Sequence, residues 1–431
     1  MLKERIEFLC KKKNISRKEL VEGLVTQAHL ANILAERYPL PPDLAEHMAL
    51  RLGVAPSYLL QVSTADEAVL ERAEHIFGEL SQPAGSVPES AVNDLADKDD
   101  ALTIELTTAL MKAVYYQQMN DTAAYDYLHT SYLNDYLEKF GRPDEVAAPL
   151  PLQKALLYYK IHYFRSKSRY YEVMNHVERL RERVQAGSEI WLTVQNIKME
   201  ACVYLKQFEQ AKTVFEHTMR HVYDDRLFHR LAGLYVAHSG FCFAMGLVQE
   251  ALLALSMAEA NLVYAMNQGD VMTSIMNNRI IILTMTGELE KASEEIGRFE
   301  AMVEREASEI RQLMLPVTLI YRCEVASARK DWAVLAQNVE QLEAASTTED
   351  QHMALVYYLS QLALSRGDQP AFLGYAMECL PYFESASHMA RLEQLYEALA
   401  IVSEDSRRYK ESSYYYHKLV EVLRNNSATR V

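Results

Sequence analysis

No stretch of this 431-residue sequence approaches eighteen consecutive apolar residues, which excludes a helix that crosses a bilayer. The first residues, MLKERIEFLC, place charges inside their apolar pattern and offer no small-residue cleavage site, so no secretory signal is expected. Cysteine is scarce and scattered: Cys10, Cys202, Cys242, Cys323 and Cys379 are odd in number and never closely spaced. That excludes a disulfide framework and a cysteine-rich metal site, and it reads as reduced, buried thiols in a cytoplasmic protein. Chain breakers are also few, with 14 Gly and 12 Pro, which points to extended helical architecture rather than to turn-rich β-structure. GxGxxG, GxxxxGK[ST] and GxSxG are all missing, so dinucleotide, nucleoside-triphosphate and hydrolase chemistries have no anchor. The chain is therefore expected to be neither an enzyme nor a cofactor carrier. His217 and His221 share a helix face ahead of Asp224 and Asp225, but no glutamate follows the first histidine and no third ligand is evident. They read as a surface pair, not a metal site.

Charge is present but unevenly distributed. The net charge is −15, yet residues 1–62 carry nine basic and seven acidic side chains, a balance of +2 that leaves −17 for the rest. An acidic body repels a polyanion, so any nucleic-acid contact belongs to the first segment.

That segment has strong local punctuation. Leu2, Ile6 and Leu9 keep helical spacing, and Lys11-Lys12-Lys13-Asn14 ends the run. Ser16-Arg17-Lys18-Glu19 is a capping box, with Leu20, Gly23 and Leu24 behind it. Thr26 caps a third helix whose inward stripe is Leu30, Ile33 and Leu34, leaving Gln27, Ala28, His29, Ala31 and Asn32 at or near its outer side. Pro41-Pro42-Asp43 opens a fourth helix, Gly53 ends it, and Ser57-Tyr58-Leu59-Leu60 forms a fifth. A helix, a glycine turn and a helix that starts with short polar residues make a helix-turn-helix. Amides such as Gln27 and Asn32 pair with base edges in a major groove, with Thr26, Ala28 and His29 beside them. Arg17, Lys18 and Arg37 suit phosphates, which fix register without reading sequence. SRKELVEGLVTQAHLANIL, the proline pair and LAEHMALRLGVAPSYLL together resemble the Xre/Cro-type helix-turn-helix over residues 1–62. The sequence departs from a strongly basic reader in having no Arg or Lys between Thr26 and Glu36.

Residues 63–100 read as a joint. TADEAVLERAEHIFGEL suggests a helix capped by Thr64, with Leu70, Ala73, Phe77 and Leu80 on one face. SQPAGSVPESAVNDLADKDD, residues 81–100, has the composition of a domain boundary or hinge.

Beyond residue 100 a spaced pattern repeats, a large apolar residue followed three later by a small or apolar one and then four later by another apolar residue. It occurs at Phe208, Ala211 and Phe215; at Val248, Ala251 and Leu255; and at Leu289, Ala292 and Ile296. Weaker copies start at Tyr170, Trp332 and Tyr409, and a degraded one at Pro370, Leu373 and Met377. Gly246 and Gly287 sit two residues before their anchors. Helical hairpins of this kind cannot bury their apolar faces alone and must stack. The anchors resemble divergent tetratricopeptide repeats, at steps longer than that repeat's usual 34 or so. The expected fold is all-α: a helix-turn-helix domain at 1–62, a linker helix and hinge at 63–100, and a superhelix of tetratricopeptide-like hairpins over 101–431.

In such a superhelix the first helix of each hairpin faces inward. Counting back a dozen residues from the anchors gives Tyr158, Asn196, Val236, Asn277, Ile320, Tyr358 and Glu397 as equivalent positions. Asparagine amides at Asn196, Asn277 and the adjacent Asn278 suit the backbone of an extended peptide, and Val236, Ile320 and Tyr358 suit its side chains.

A weakly basic helix-turn-helix on an acidic repeat array resembles the peptide-responsive regulators of Gram-positive bacteria, the family grouping the Rap, Rgg, NprR, PlcR and PrgX proteins. The resemblance implies a cytoplasmic, usually dimeric, quorum-sensing transcription regulator whose repeats bind a short signalling peptide through asparagines. Asn196 and Asn277 are the positions that match. Its expected partners are an operator duplex, the peptide and a second copy. The alternative within the same repeat family is a protein-interaction module or a response-regulator phosphatase, for which Gln117 and Gln118 lie in roughly the right region.

Overall fold

The described residues form twenty-four α-helices and a few short 3-10 and π segments, and contain no strand. The structure, a computed structural model, describes all residues except 1, 36, 61–65, 83–86, 98, 100, 120, 138–147, 267, 387 and 428–431, and omits the side chains of 4, 57, 135, 309 and 425–427. Contacts divide it into two compact units, Met1–Lys198 and Met199–Val431.

Local capping chemistry sets the first five helices. They are α1 (Leu2–Lys13), α2 (Arg17–Val21), α3 (Gln27–Leu34), α4 (Pro42–Leu52) and α5 (Pro56–Leu60). Ser16 accepts from the Glu19 amide while Glu19 reaches back to the Ser16 amide, so the capping box closes as expected. Thr26 accepts from the His29 amide and starts α3. Gly23 and Gly53 turn the chain at φ +73° and +64°, a region open to glycine at little cost. Leu20, Leu30, Ile33, Met48 and Leu52 fill the space between these helices.

The rest of the first unit comprises α6 (Glu67–Leu80), α7 (Glu89–Asn93), α8 (Leu102–Gln118), α9 (Thr122–Leu128), a π-helical turn at His129–Leu133, α10 (Asn134–Leu137), α11 (Leu150–Ser166), α12 (Tyr170–Arg181) and most of α13 (Glu189–Tyr204). Thr64 lies outside the described residues; Asp66 caps α6 by accepting from the Ala68 amide. α8 is buried along nearly its whole length, between α6 and α11. The segment expected to act as a hinge is tied down where it is described. Val92 is fully buried, Lys112 donates to the Leu95 carbonyl and to Asp97, and Arg72 pairs with Asp99 at 2.8 Å. The boundary between the two units falls in α13. The first sixty residues merge with α8 and the π turn because Phe8 packs on Tyr132 at 5.0 Å and Tyr58 bonds Glu105 at 2.8 Å.

The second unit contains the end of α13, then α14 (Phe208–Asp224), α15 (Leu231–Ala244), α16 (Val248–Ala260), α17 (Gln268–Met285), α18 (Leu289–Val303), α19 (Ser308–Arg329), α20 (Trp332–Ala345), α21 (Glu349–Ser365), α22 (Gln369–Ser385), α23 (Met389–Asp405) and α24 (Tyr409–Ser427). From α15 on, helices pair as consecutive hairpins, and α15, α17, α19 and α21 also contact their neighbours in that series. Ala211, Ala251 and Ala292, the small anchors, are wholly buried.

One turn recurs in both units. Ser168, Lys206, Gly246, Gly287, Lys330, Gly367 and Arg407 all adopt left-handed φ, between 53° and 79°. Each lies two residues before a helix that starts at Tyr170, Phe208, Val248, Leu289, Trp332, Gln369 or Tyr409. In every case the next amide donates to the carbonyl five residues back, at 2.8–3.0 Å, the 6→1 bond of a Schellman cap. This turn corrects the degraded copy. Gly367 sets the helix start at Gln369, so the buried anchors are Phe372 and Ala376, whereas Leu373 is half-buried and Met377 is 52% exposed.

Candidate functional site

The α2–α3 pair presents the residues expected to meet DNA. Gln27, Ala28 and Ala31 are exposed on α3, while His29 and Asn32 are half-buried on its flank. Thr26 is committed to its cap. The Asn32 side-chain oxygen accepts from the Arg37 guanidinium at 3.1 Å, and His29 stacks on Tyr38 at 5.9 Å. Lys18 is exposed, whereas Arg17 is paired with Glu7 of α1. The first-turn carboxylate of Glu19 is held below the usual range by its bond to the Ser16 amide.

Arg51 was not singled out from the sequence, yet it holds this motif together. From the last turn of α4 its guanidinium donates to the carbonyls of Glu19 and Leu20 at 2.9 Å and of Glu22 at 2.8 Å. A five-residue helix leaves most of its terminal carbonyls without an intrahelical donor, and Arg51 supplies three bonds. A basic residue in a last turn is a weak signal, because it equally suits its own helix dipole.

The positions expected to hold a peptide divide between the units. Asn196 is half-buried on the part of α13 that belongs to the first unit. Val236, Asn277, Asn278 and Ile320 are half-buried on α15, α17 and α19 of the second. Asn277 is already engaged: its side-chain oxygen accepts from the Tyr321 hydroxyl at 2.5 Å, and its side-chain nitrogen donates to the Asn278 side-chain oxygen at 3.3 Å. Burial pushes the Tyr321 hydroxyl up to about 12, so it stays a donor. Tyr358 departs from expectation. It has no exposed surface, bonds the Ile320 carbonyl at 3.4 Å, and is covered by Arg391, which pairs with Glu324 at 3.0 Å. It lines the core rather than a ligand surface, as does its neighbour Tyr357 at 2% exposed.

A charged cluster near Asn277 was also missed. Arg279 bridges Glu259 at 2.7 Å and Glu295 at 2.9 Å, and Arg298 completes the ring. The two glutamines noted for phosphatase chemistry point toward His162. Gln117 lies 3.4 Å from its carbonyl and Gln118 3.4 Å from its ring nitrogen. His217 and His221 are ring neighbours at 4.8 Å, with Asp225 3.6 Å from His221. No described helix is long and apolar enough to cross a membrane.

No family model and no curated protein matches the sequence. The fold, however, is that of a known helical-repeat protein. A Rap protein complexed with competence and sporulation factor superposes with a TM-score of 0.59, covering 84% of this chain and 98% of its own, at 13% sequence identity. At that identity the likeness establishes a Rap-like repeat architecture.

Proposed function

We propose that this protein is a quorum-sensing transcription regulator of the peptide-responsive kind, in which α2 and α3 read an operator and the repeats bind a short signalling peptide. The observation that carries the reading is the combination of two parts. A capped α2, a glycine turn and an α3 with an uncharged polar outer face are joined to a repeat array of Rap-like fold. The Rap protein of like fold is complexed with competence and sporulation factor, and in this reading a short signalling peptide is the ligand of these repeats. Within the second unit, half-buried amides at Asn277 and Asn278 suit the backbone of an extended peptide, while Val236 and Ile320 offer it apolar contacts. The peptide controls DNA binding only through different affinities for two states of the chain. In this reading the chain acts in the cytoplasm as a homodimer, because a recognition helix without positive charge binds one half-site weakly.

The fold likeness favours a second reading to the same degree: a protein-interaction module or response-regulator phosphatase of the same repeat family, without DNA as a partner. Titrating the full chain with a pool of short peptides, then with random duplex, separates the two. Saturable binding of both supports the regulator. Peptide binding without any selected duplex favours the second reading, and no peptide binding at all refutes the first.

A further inference from the structure

Glu105 is an unusual residue for its position. It sits on α8, is 1% exposed, and lies at the seam where the first five helices meet the rest of their unit. One carboxylate oxygen accepts both from the Tyr58 hydroxyl of α5, at 2.8 Å, and from the Tyr132 hydroxyl of the π turn, at 2.7 Å. The other accepts from the Asp99 amide at 3.0 Å. Arg5 of α1 is also fully buried; it donates to the Tyr58 carbonyl and lies 4.3 Å over the Tyr58 ring. Phe8 closes the seam against Tyr132 and Tyr136 at 5.0 and 5.1 Å.

Adhesion alone does not call for this arrangement. Burying a carboxylate carries a desolvation penalty that an apolar side chain of the same volume avoids. What the carboxylate adds is direction, because one oxygen shared by two phenols from opposite sides of the seam has a narrow set of acceptable angles. Tyr132 reaches it from the His129–Leu133 segment, where the wider π turn changes the direction of the side chains from that of the preceding α-helix. Burial and the Glu105 charge drive the Tyr58 hydroxyl far above its ordinary range, so it remains a donor.

We infer that Glu105 is a positioning residue for DNA binding: by holding Tyr58 and Tyr132 on one oxygen, it fixes the angle at which α3 is presented. This rests on the DNA-reading function proposed above. In a dimer that angle determines which separation of half-sites both recognition helices reach together. The role is therefore visible in spacing preference, which a general loss of stability leaves untouched.

The test uses the full chain and duplexes that it selects from a random pool, followed by insertion of about five base pairs between the half-sites, half a helical turn. The expected wild-type penalty for the insertion is at least about tenfold in affinity, and Glu105→Leu and Tyr58→Phe reduce it to about threefold or less. Glu105→Gln, whose amide oxygen still accepts from both phenols, retains most of it. Tyr58→Phe keeps the carboxylate and removes one hydroxyl, so it decides the matter should Glu105→Leu fail to fold. An undiminished penalty in the folded variants, or selection of a single half-site by the wild type, overturns the inference. A wild type that selects no duplex instead refutes the DNA reading beneath it.

Discussion

The left-handed turns allow opposite stability changes to be assigned to like substitutions. Gly287 has φ +79° and Gly297 lies within α18, and an added β-carbon meets nothing within 4 Å at either site. Steric clash is thus removed from the comparison and only backbone preference remains. At Gly287, alanine pays about 1–2 kcal/mol for a left-handed L-residue, offset by about 0.4–1 kcal/mol from a less flexible unfolded chain. The net expectation for Gly287→Ala is a loss of about 1 kcal/mol. At Gly297 the backbone is already helical, so Gly297→Ala gains about 0.5–1 kcal/mol. Lys330 occupies the same turn position as Gly287, with φ +59°, and Lys330→Gly relieves the strain that glycine avoids, for a gain of up to about 1 kcal/mol. Urea unfolding of the full chain, followed in the second unit, measures all three. Equal signs for Gly287→Ala and Gly297→Ala would refute the claim that the turns, rather than local packing, set the repeat register.

Acid weakens the first unit. Burial holds His162 down at about 3 and His176 at about 4, against 6.5 for the free side chain. The unfolded chain therefore takes up protons below pH 6.5 that the folded chain refuses until about pH 4 or lower, and stability falls as pH drops through that window. By pH 5 the loss is about 2 kcal/mol for each histidine; a melting temperature that ignores pH in the wild type, or that falls as steeply in His162→Gln, contradicts this. Arg51→Ala removes three charge-assisted bonds to α2 and is expected to cost about 1.5–3 kcal/mol of local stability, read as faster amide exchange in α2 and α3. Arg51→Lys recovers only part, since an ammonium cannot match the planar fork. Asn277→Ala is expected to weaken peptide binding about tenfold without unfolding the repeats, and Asn196→Ala likewise; calorimetry that finds full affinity removes either residue from the site.

Much of this architecture was legible because it is local. Ser16, Thr26, the proline pair and Gly53 act through their own side chains and backbone angles, and each starts or ends a helix where expected. Helices also begin at Tyr170, Phe208, Val248, Leu289, Trp332 and Tyr409. Gly246 and Gly287 announced their turns, but Ser168, Lys206, Lys330 and Arg407 adopt the same angles without a glycine to mark them. Tertiary stacking pays that strain, and no local pattern records it. The degraded copy was misplaced by one residue because Pro370 looked like a helix start, while the Gly367 turn fixes the start at Gln369. Glu105 and Arg5 were invisible for a different reason. A charged residue on a helix reads as a surface residue, and only the distant Tyr58 and Tyr132 turn Glu105 into the acceptor at a buried seam.

Under the proposed function, α3 reads DNA under control of the repeats. Its most direct test is selection of duplexes from a random pool by the full chain and by Gln27→Ala, with and without a peptide that the chain binds. The expected result is paired half-sites one or more helical turns apart, a base preference that Gln27→Ala relaxes by about 1–3 kcal/mol at one position per half-site, and an affinity that the peptide changes. Binding that shows no sequence preference, is the same for Gln27→Ala and is indifferent to peptide would contradict it.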